Sequence, residues 1–353
     1  MSGRSLFADL AAPRLVGSAA HRRARSILSA ELTRRGFTVQ EHRFRASAVR
    51  LRAVALAGGV LALAGLAAAI RTLWGPGAGG LALWASGLTA VATLAAVIAA
   101  GVRRPPAPEG VNLIGTRGGA APRVWLVAHY DSKGQGLSMR GRLTAVAAAI
   151  AGTGLLAGAG AAALAGAAPP AAWWLAGALP AVLGGYGLLA AGVRNDSPGA
   201  LDNATGLLTV LAVADALPPT APAGVVFTDA EELGLLGAAA VARERAGLFR
   251  DAAIVNLDGI DDAGRVVAFA HRRGPMTDAI AAAVGARRAR WLPVLVDGVP
   301  LARVSREAVT LLKGGLGSMG VVHTTRDTAE RLTLAGVEAV AAAVARELSE
   351  RLT

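Results

Sequence analysis

Cysteine is absent from all 353 residues, which excludes a disulfide framework, a thiolate metal ligand and a thiol nucleophile. Any bound metal must therefore be held by histidine and carboxylate. Two further signatures are missing: HExxH of single-zinc proteases and GxSxG of serine hydrolases. Lysine is nearly absent, with only Lys133 and Lys313. Residues 1–50 are polar and studded with arginine and have no apolar leader, so no signal peptide is expected there.

Charge is absent in a patterned way. Four apolar stretches, residues 53–70, 81–102, 143–168 and 171–193, contain no Asp, Glu, Lys or Arg. Crossing a bilayer as a helix takes about 20 such residues, so the first stretch is the marginal one. The stretches form two pairs, joined by "RTLWGPGAGG" and "GAAPP", both rich in helix-ending residues. The expectation is two transmembrane hairpins, 53–102 and 143–193, inserted into one discontinuous globular domain of 1–52, 103–142 and 194–353. Arginines and Lys133 flank the hairpins, while the short turns carry only Arg71. By the positive-inside rule this predicts a multi-pass cell-membrane protein with its globular domain on the cytoplasmic side. The net charge of +12 is spread around these flanks instead of forming one block, which favours an anionic lipid surface as partner and argues against nucleic acid.

The remainder alternates helical and extended patterns. Helical spacing runs through 18–36, 204–217, 235–247, 276–284 and 329–352, and strand patterns occupy 37–44, 111–116, 124–128, 224–228, 252–257, 265–270 and a short 320–322. Near-continuously apolar strands alternating with helices predict an α/β fold, a three-layer sandwich around a mainly parallel mixed sheet. The segment "GLGSMG" fits GxGxxG but leads into "VVHTT" instead of a helix, so no dinucleotide site is expected.

The residues able to carry chemistry fall at predicted strand ends. His129 ends one strand, Glu231 and Glu232 follow another, Asp258 ends a third and His323 a fourth, while Asp202 precedes a helix. The carboxyl edge of an α/β sheet is where ligands bind. Two imidazoles with several carboxylates suit divalent cations when thiolate is missing. A metal pair sharing one bridging carboxylate needs about five protein ligands, and His129, Asp202, Glu232, Asp258 and His323 supply that number. Asp131, two residues from His129, is placed to accept the other imidazole N–H. Glu231, adjacent to a ligand yet not one itself, is placed to take a proton from the attacking water and return it to a leaving amine. His21, His42 and His271 are read as surface residues, and Asp229, Asp261 and Asp262 as solvated or turn carboxylates. Asp327 with Glu330 fits either a capping box or a supporting role at the site.

In chain order, "AHYDS" (128–132), "GALDNATG" (199–206), "DAEELGLLGA" (229–238), "NLDGI" (256–260) and "HTTRDT" (323–328) resemble the M28 family of co-catalytic zinc peptidases. The likeness extends to an opening helix and strand in "PRLVGSAAHRRARSILSAELTRRGFTVQEHRF". It implies two Zn2+ per chain: His129 and Asp258 on one, Glu232 and His323 on the other, and Asp202 as the bridge. It further implies Glu231 as the catalytic base and Asp131 as the catalytic partner of His129. The chain departs from the family pattern in four places. A hairpin separates Asp131 from Asp202, Leu201 stands where an acidic residue is common, Val322 stands where many members have tyrosine, and the segment before His323 lacks an Asp-His pair. The resemblance predicts a membrane-anchored metallopeptidase acting on peptides, most simply an aminopeptidase. The alternatives on the same scaffold are a carboxypeptidase, a glutaminyl cyclase, or an inactive membrane scaffold or receptor. The sequence leaves the oligomeric state open.

Overall fold

The structure is a computed structural model that describes residues 3–47, 49–74, 108–290 and 294–352. The chain divides into two compact units, one of Met1–Ser47, Ala107–Gly134 and Arg194–Thr353, the other of Ala48–Pro106 and Gln135–Val193.

The first unit is built on an eight-stranded mixed sheet. Its strands are β1 (Thr38–Arg45), β2 (Glu109–Thr116), β3 (Val124–His129), β6 (Ala223–Thr228), β7 (Ala253–Ile260), β8 (Arg265–Arg272), β9 (Arg287–Ala289) and β10 (Glu307–Gly314). Two short strands, β4 (Gly134–Gln135) and β5 (Val193–Arg194), pair separately. The spatial order is β1-β2-β6-β3-β7-β10-β8-β9. Its centre, β6-β3-β7-β10, is parallel, whereas β1, β2 and β8 join antiparallel neighbours.

Burial on both faces explains the continuous apolar runs of the central strands. In β3, Val124, Leu126 and Ala128 enter the larger core cluster with Leu207, Leu211, Val340 and Val344, while Trp125 and Val127 pack on the other side with Val241 and Phe249. The period-2 alternation thus delivers successive side chains to opposite helical layers. Helices α1 (Gly3–Leu10), α2 (Ala19–Arg34), α6 (Thr205–Ala216), α8 (Pro275–Ala283) and α11 (Ala335–Leu352) bury residues in the larger core cluster, and α7 (Leu236–Glu244) covers the smaller one. A mixed sheet between helical layers is the architecture expected from the sequence.

Two elements differ from the sequence reading. Residues 307–314 form the full central strand β10, which the sequence reading leaves unassigned. Residues 320–322 form no strand; they follow a single helical turn, α10 (Leu316–Met319), and His323 stands in a loop. The cause is local: "EAVTLLKG" is bounded by no strong turn signal on its N-terminal side, whereas the glycines around 314–320 suggest strand punctuation at the wrong place.

In the second unit, α3 (Val49–Trp74), α4 (Met139–Leu164) and α5 (Ala171–Ala190) are described, with α5 packed against both of the others. Contact is made through small residues, because the buried face of α5 carries Gly177, Ala178, Ala181, Gly184 and Gly185. A Cβ on Gly184 would stand 2.4 Å from the Ala149 amide nitrogen, and one on Gly185 2.4 Å from the Gly58 carbonyl oxygen. Large apolar residues instead point outward: Ile150, Leu155, Trp173, Leu179, Leu183 and Tyr186 are all exposed. Met139–Ala163 and Ala171–Ala190 are long and apolar enough to cross a membrane. Within α3, Leu56–Ile70 is a shorter apolar segment. The stretch 81–102 lies outside the described residues.

Candidate metal centre

His129 is the last residue of β3 and Asp258 lies near the end of β7, so two parallel neighbours deliver an imidazole and a carboxylate to the same edge. The neighbouring β6 ends at Thr228, and the chain then turns through Ala230, at φ 55°, to present Glu231 and Glu232. A non-glycine residue in the left-handed region signals that tertiary contacts override local preference. Asp131 supplies those contacts: its Oδ1 accepts from the Glu231 amide and its Oδ2 from the Glu232 amide, both at 3.1 Å. Asp202 lies in an irregular turn between Gly199 and α6. Gly199 sits at φ 62°, and a Cβ there would fall 2.5 Å from both the Asp202 carbonyl oxygen and Ser132 Cβ. His323, at φ 67°, completes the set from its loop.

The geometry gathers five side chains into two overlapping triads. One ligand atom from each of His129, Asp202 and Asp258 lies within 4.8 Å of the others, and the same holds for Asp202, Glu232 and His323. His129 Nε2 stands 3.1 Å from Asp202 Oδ1 and 3.7 Å from Asp258 Oδ1. His323 Nε2 stands 3.2 Å from Asp202 Oδ2 and 3.0 Å from Glu232 Oε2. The two oxygens of Asp202 therefore face different imidazoles.

The donor set fits divalent metal. His129 Nε2 and Glu232 Oε1 are buried without a hydrogen-bond partner, a costly arrangement unless another ligand engages them. The protonation pattern makes the same point. Burial by itself would neutralise His129 and His323, but the surrounding carboxylates overcome it and raise both imidazoles, His129 far above its ordinary value. Against its own burial, Asp202 is held well below the usual carboxylate range by the two imidazoles. Glu232 falls to about 2 despite burial, through His323 and Lys133. Burial, together with Glu232, Asp297 and Asp258, pushes Glu231 well above the usual carboxylate range. A cluster this rich in buried carboxylates demands positive charge, and protons on imidazole meet part of that demand.

The surroundings contain residues that the sequence reading did not assign. Lys133 is buried, with Nζ 2.8 Å from Glu232 Oε2 and 2.9 Å from the Glu232 carbonyl oxygen. Asp297 is fully buried, accepts from Thr228 Oγ1, leaves Oδ1 unpartnered and is raised by burial to about 7. Asn203 donates to the Leu257 carbonyl at 2.9 Å and accepts from the Gly259 amide at 3.0 Å, locking the Asp202 turn to the residues on either side of Asp258. A buried aspartate flanked by glycine in "VDGVP" was the available signal for Asp297; Lys133 gave none beyond its rarity.

Several expectations are corrected. Asp131 lies 3.6 Å from His129 Nδ1 through its carboxylate, and its main-chain oxygen is closer at 3.2 Å, because the carboxylate is turned to the Glu231 and Glu232 amides. His21 and His42 are buried. His21 Nε2 pairs with Asp229 Oδ1 at 2.7 Å, and His42 joins Asn112 and Glu244 at 3.1 and 2.9 Å. Asp229 is fully buried and also takes the Tyr130 hydroxyl and the Val111 amide. Asp261 is buried and accepts from Ser318 Oγ at 2.7 Å. No side chain caps the 3-10 turn Ala329–Arg331, so Asp327 and Glu330 form no capping box.

Residues 190–348 match the family model "Peptidase family M28". That match covers the part of the chain that carries Asp202, Glu231, Glu232, Asp258 and His323. Solved structures with the same fold include the zinc aminopeptidase BSAP of Bacillus subtilis, with TM-score 0.58 and 13% identity over 99% of this chain and 94% of that one. A Zn-dependent exopeptidase from Parabacteroides distasonis aligns with TM-score 0.56 at 15% identity over 99% and 97% of the two chains. The glutaminyl cyclase of Porphyromonas gingivalis aligns with TM-score 0.53 at 16% identity, again over 99% and 97%. No curated protein gives a significant sequence match. Among the described residues, the two triads sharing Asp202 are the clusters of three or more metal-ligand-type side chains that come together.

Proposed function

We propose that the chain is a membrane-anchored hydrolase of peptide bonds that uses two zinc ions and removes N-terminal residues. The observation that carries this reading is the pair of triads hinged on Asp202. His129 and Asp258 would hold one ion, Glu232 and His323 the other, and Asp202 both. When bound, the ions supply Lewis acidity and a water acidified for attack. Glu231 is not a member of either triad, lies on the residue before Glu232 and is pinned through its amide by Asp131. It receives the proton released by the attacking water and delivers it to the leaving amine nitrogen. Glu231→Gln keeps the shape of the side chain but cannot accept that proton. Metal content should stay at the wild-type value while kcat falls about 10^2- to 10^4-fold. Near-normal turnover would remove Glu231 from this role.

Glutaminyl cyclase structures share the fold at similar TM-score, so cyclisation on the same machinery is the second reading. Aminoacyl reporters, N-blocked dipeptides and N-terminal glutaminyl peptides, assayed side by side on one zinc-loaded preparation, separate exopeptidase from cyclase.

Membrane anchoring rests on the inverted polarity of α4 and α5. Small residues face inward and large apolar ones outward, as helices solvated by lipid require and soluble core helices do not. The protein should resist alkaline carbonate extraction and require detergent. The cytoplasmic placement of the hydrolase unit, argued from the flanking arginines, predicts that the C-terminal tail is shielded from protease in intact cells.

A further inference from the structure

The turn carrying Asp202 is gripped from two directions by charged side chains outside either triad. Asp327, four residues beyond His323, is buried; its Oδ1 accepts from the Leu201 amide at 2.7 Å and its Oδ2 from the Asp202 amide at 3.1 Å. Its carbonyl oxygen accepts from the Ala200 amide at 3.1 Å. Three successive amides thus converge on a single residue of the His323 loop. On the other side lies Arg14, fully buried and contributed by the N-terminal segment. Its guanidinium donates to the Pro198 and Gly199 carbonyls at 2.8 and 3.0 Å, to the Tyr130 carbonyl at 2.8 Å, and to Leu10 and Ala12 within its own segment. Ser132 Oγ accepts from the Arg14 amide at 2.9 Å, and the Ser132 amide donates to the Arg14 carbonyl at 3.2 Å. The His129 loop, the Asp202 turn and the His323 loop are therefore tied together by hydrogen bonds that would persist without metal.

We infer that Asp327, seconded by Arg14, is the positioning residue that fixes Asp202 between the two ion positions, so that one non-ligating carboxylate governs the occupancy of both. The inference rests on the dizinc reading. Irregular backbone such as the Asp202 turn has no ladder of its own to hold it, and Asp327 replaces that ladder with two carboxylate–amide bonds of the stronger, charge-assisted kind. Since Asp202 offers one oxygen to each triad, a shift of its backbone moves a ligand out of both at once. Outer partners of metal ligands typically govern affinity by about 10- to 100-fold.

The test measures zinc affinity, not turnover. Wild type, Asp327→Asn and Asp258→Asn are stripped with chelator and titrated with zinc against a fluorescent competitor, and apo-protein melting is recorded in parallel. Asp327→Asn retains one acceptor and the shape of the site, so its apo melting should stay within a few degrees of wild type. Both zinc affinities should fall about 10-fold or more, whereas Asp258→Asn should weaken one ion much more than the other. Asp327→Ala should repeat the double loss more severely. Unchanged affinities in Asp327→Asn, or weakening of one ion alone, overturn the inference while leaving the dizinc reading intact. Failure of wild type to bind any zinc overturns that reading and this inference with it.

Discussion

His271 shows what a single half-buried side chain can do to stability. It projects from β8 to within 2.8 Å of Thr310 Oγ1, and Gly298 is glycine at a place where a Cβ would lie 2.5 Å from the imidazole. Burial lowers its pKa to about 4. The unfolded chain binds this proton more readily than the folded one below pH 6.5, so the stability is fully present above that value and is lost as pH falls toward 4. Because the ring is partly exposed, the loss is about 2 kcal/mol at most after solvent screening. Denaturant unfolding at pH 7 and pH 4.5 should show a smaller acid penalty in His271→Asn than in wild type; equal penalties would exclude His271 as a contributor. The same residue scale shows where the sequence was legible. His129, Asp202, Glu232, Asp258 and His323 stood out because each sits in a short motif. His21 and Asp229, paired at 2.7 Å across 208 residues, did not, since a partner that distant leaves no local trace. Asp131 stands beside His129 as its spacing implies, at 3.6 Å, but spacing cannot say that the Glu231 and Glu232 amides will share its carboxylate.

At the scale of elements, periodicity identified what burial dictates. Strands β3, β6 and β7 are near-continuously apolar because both faces are covered, and each is readable on that ground. Strand β10 has similar burial but no clear starting signal, and the loop before His323 has a glycine-rich composition compatible with several structures. In α5 the informative signal is the positions of glycine rather than hydrophobicity. Gly185 meets Gly58 and Ala62 of α3, and Gly184 meets Ala145 and Ala149 of α4, closely enough that any larger side chain forces the helices apart. Gly185→Leu should cost about 1–3 kcal/mol by overpacking. The cysteine-free chain makes this readable by cross-linking. Leu61 packs against the cluster that holds Leu188, so cysteines at both should be joined by a short bis-maleimide cross-linker in the parent, and that product should fall when Gly185→Leu is added. Undiminished cross-linking would show that close approach is not needed there.

For the molecule as a whole, the five candidate ligands are drawn from residues 129 to 323, so an ion held by them joins distant parts of the chain. An ion that binds only the folded arrangement stabilises it by mass action, about 4 kcal/mol at a thousandfold excess over Kd. EDTA should therefore lower the melting temperature by several degrees, and added zinc should restore it, while magnesium should not. An unchanged melting curve after verified zinc removal would show that these loops are held without help from metal.

The chain leaves the first unit at Gly134–Gln135 and returns at Val193–Arg194, and these two dipeptides pair as a ladder. Distance along the polypeptide between His129 and Asp202 is thereby uncoupled from distance in space. The length of the chain between them therefore does not by itself set where the backbone resumes; the pairing at the doorway does.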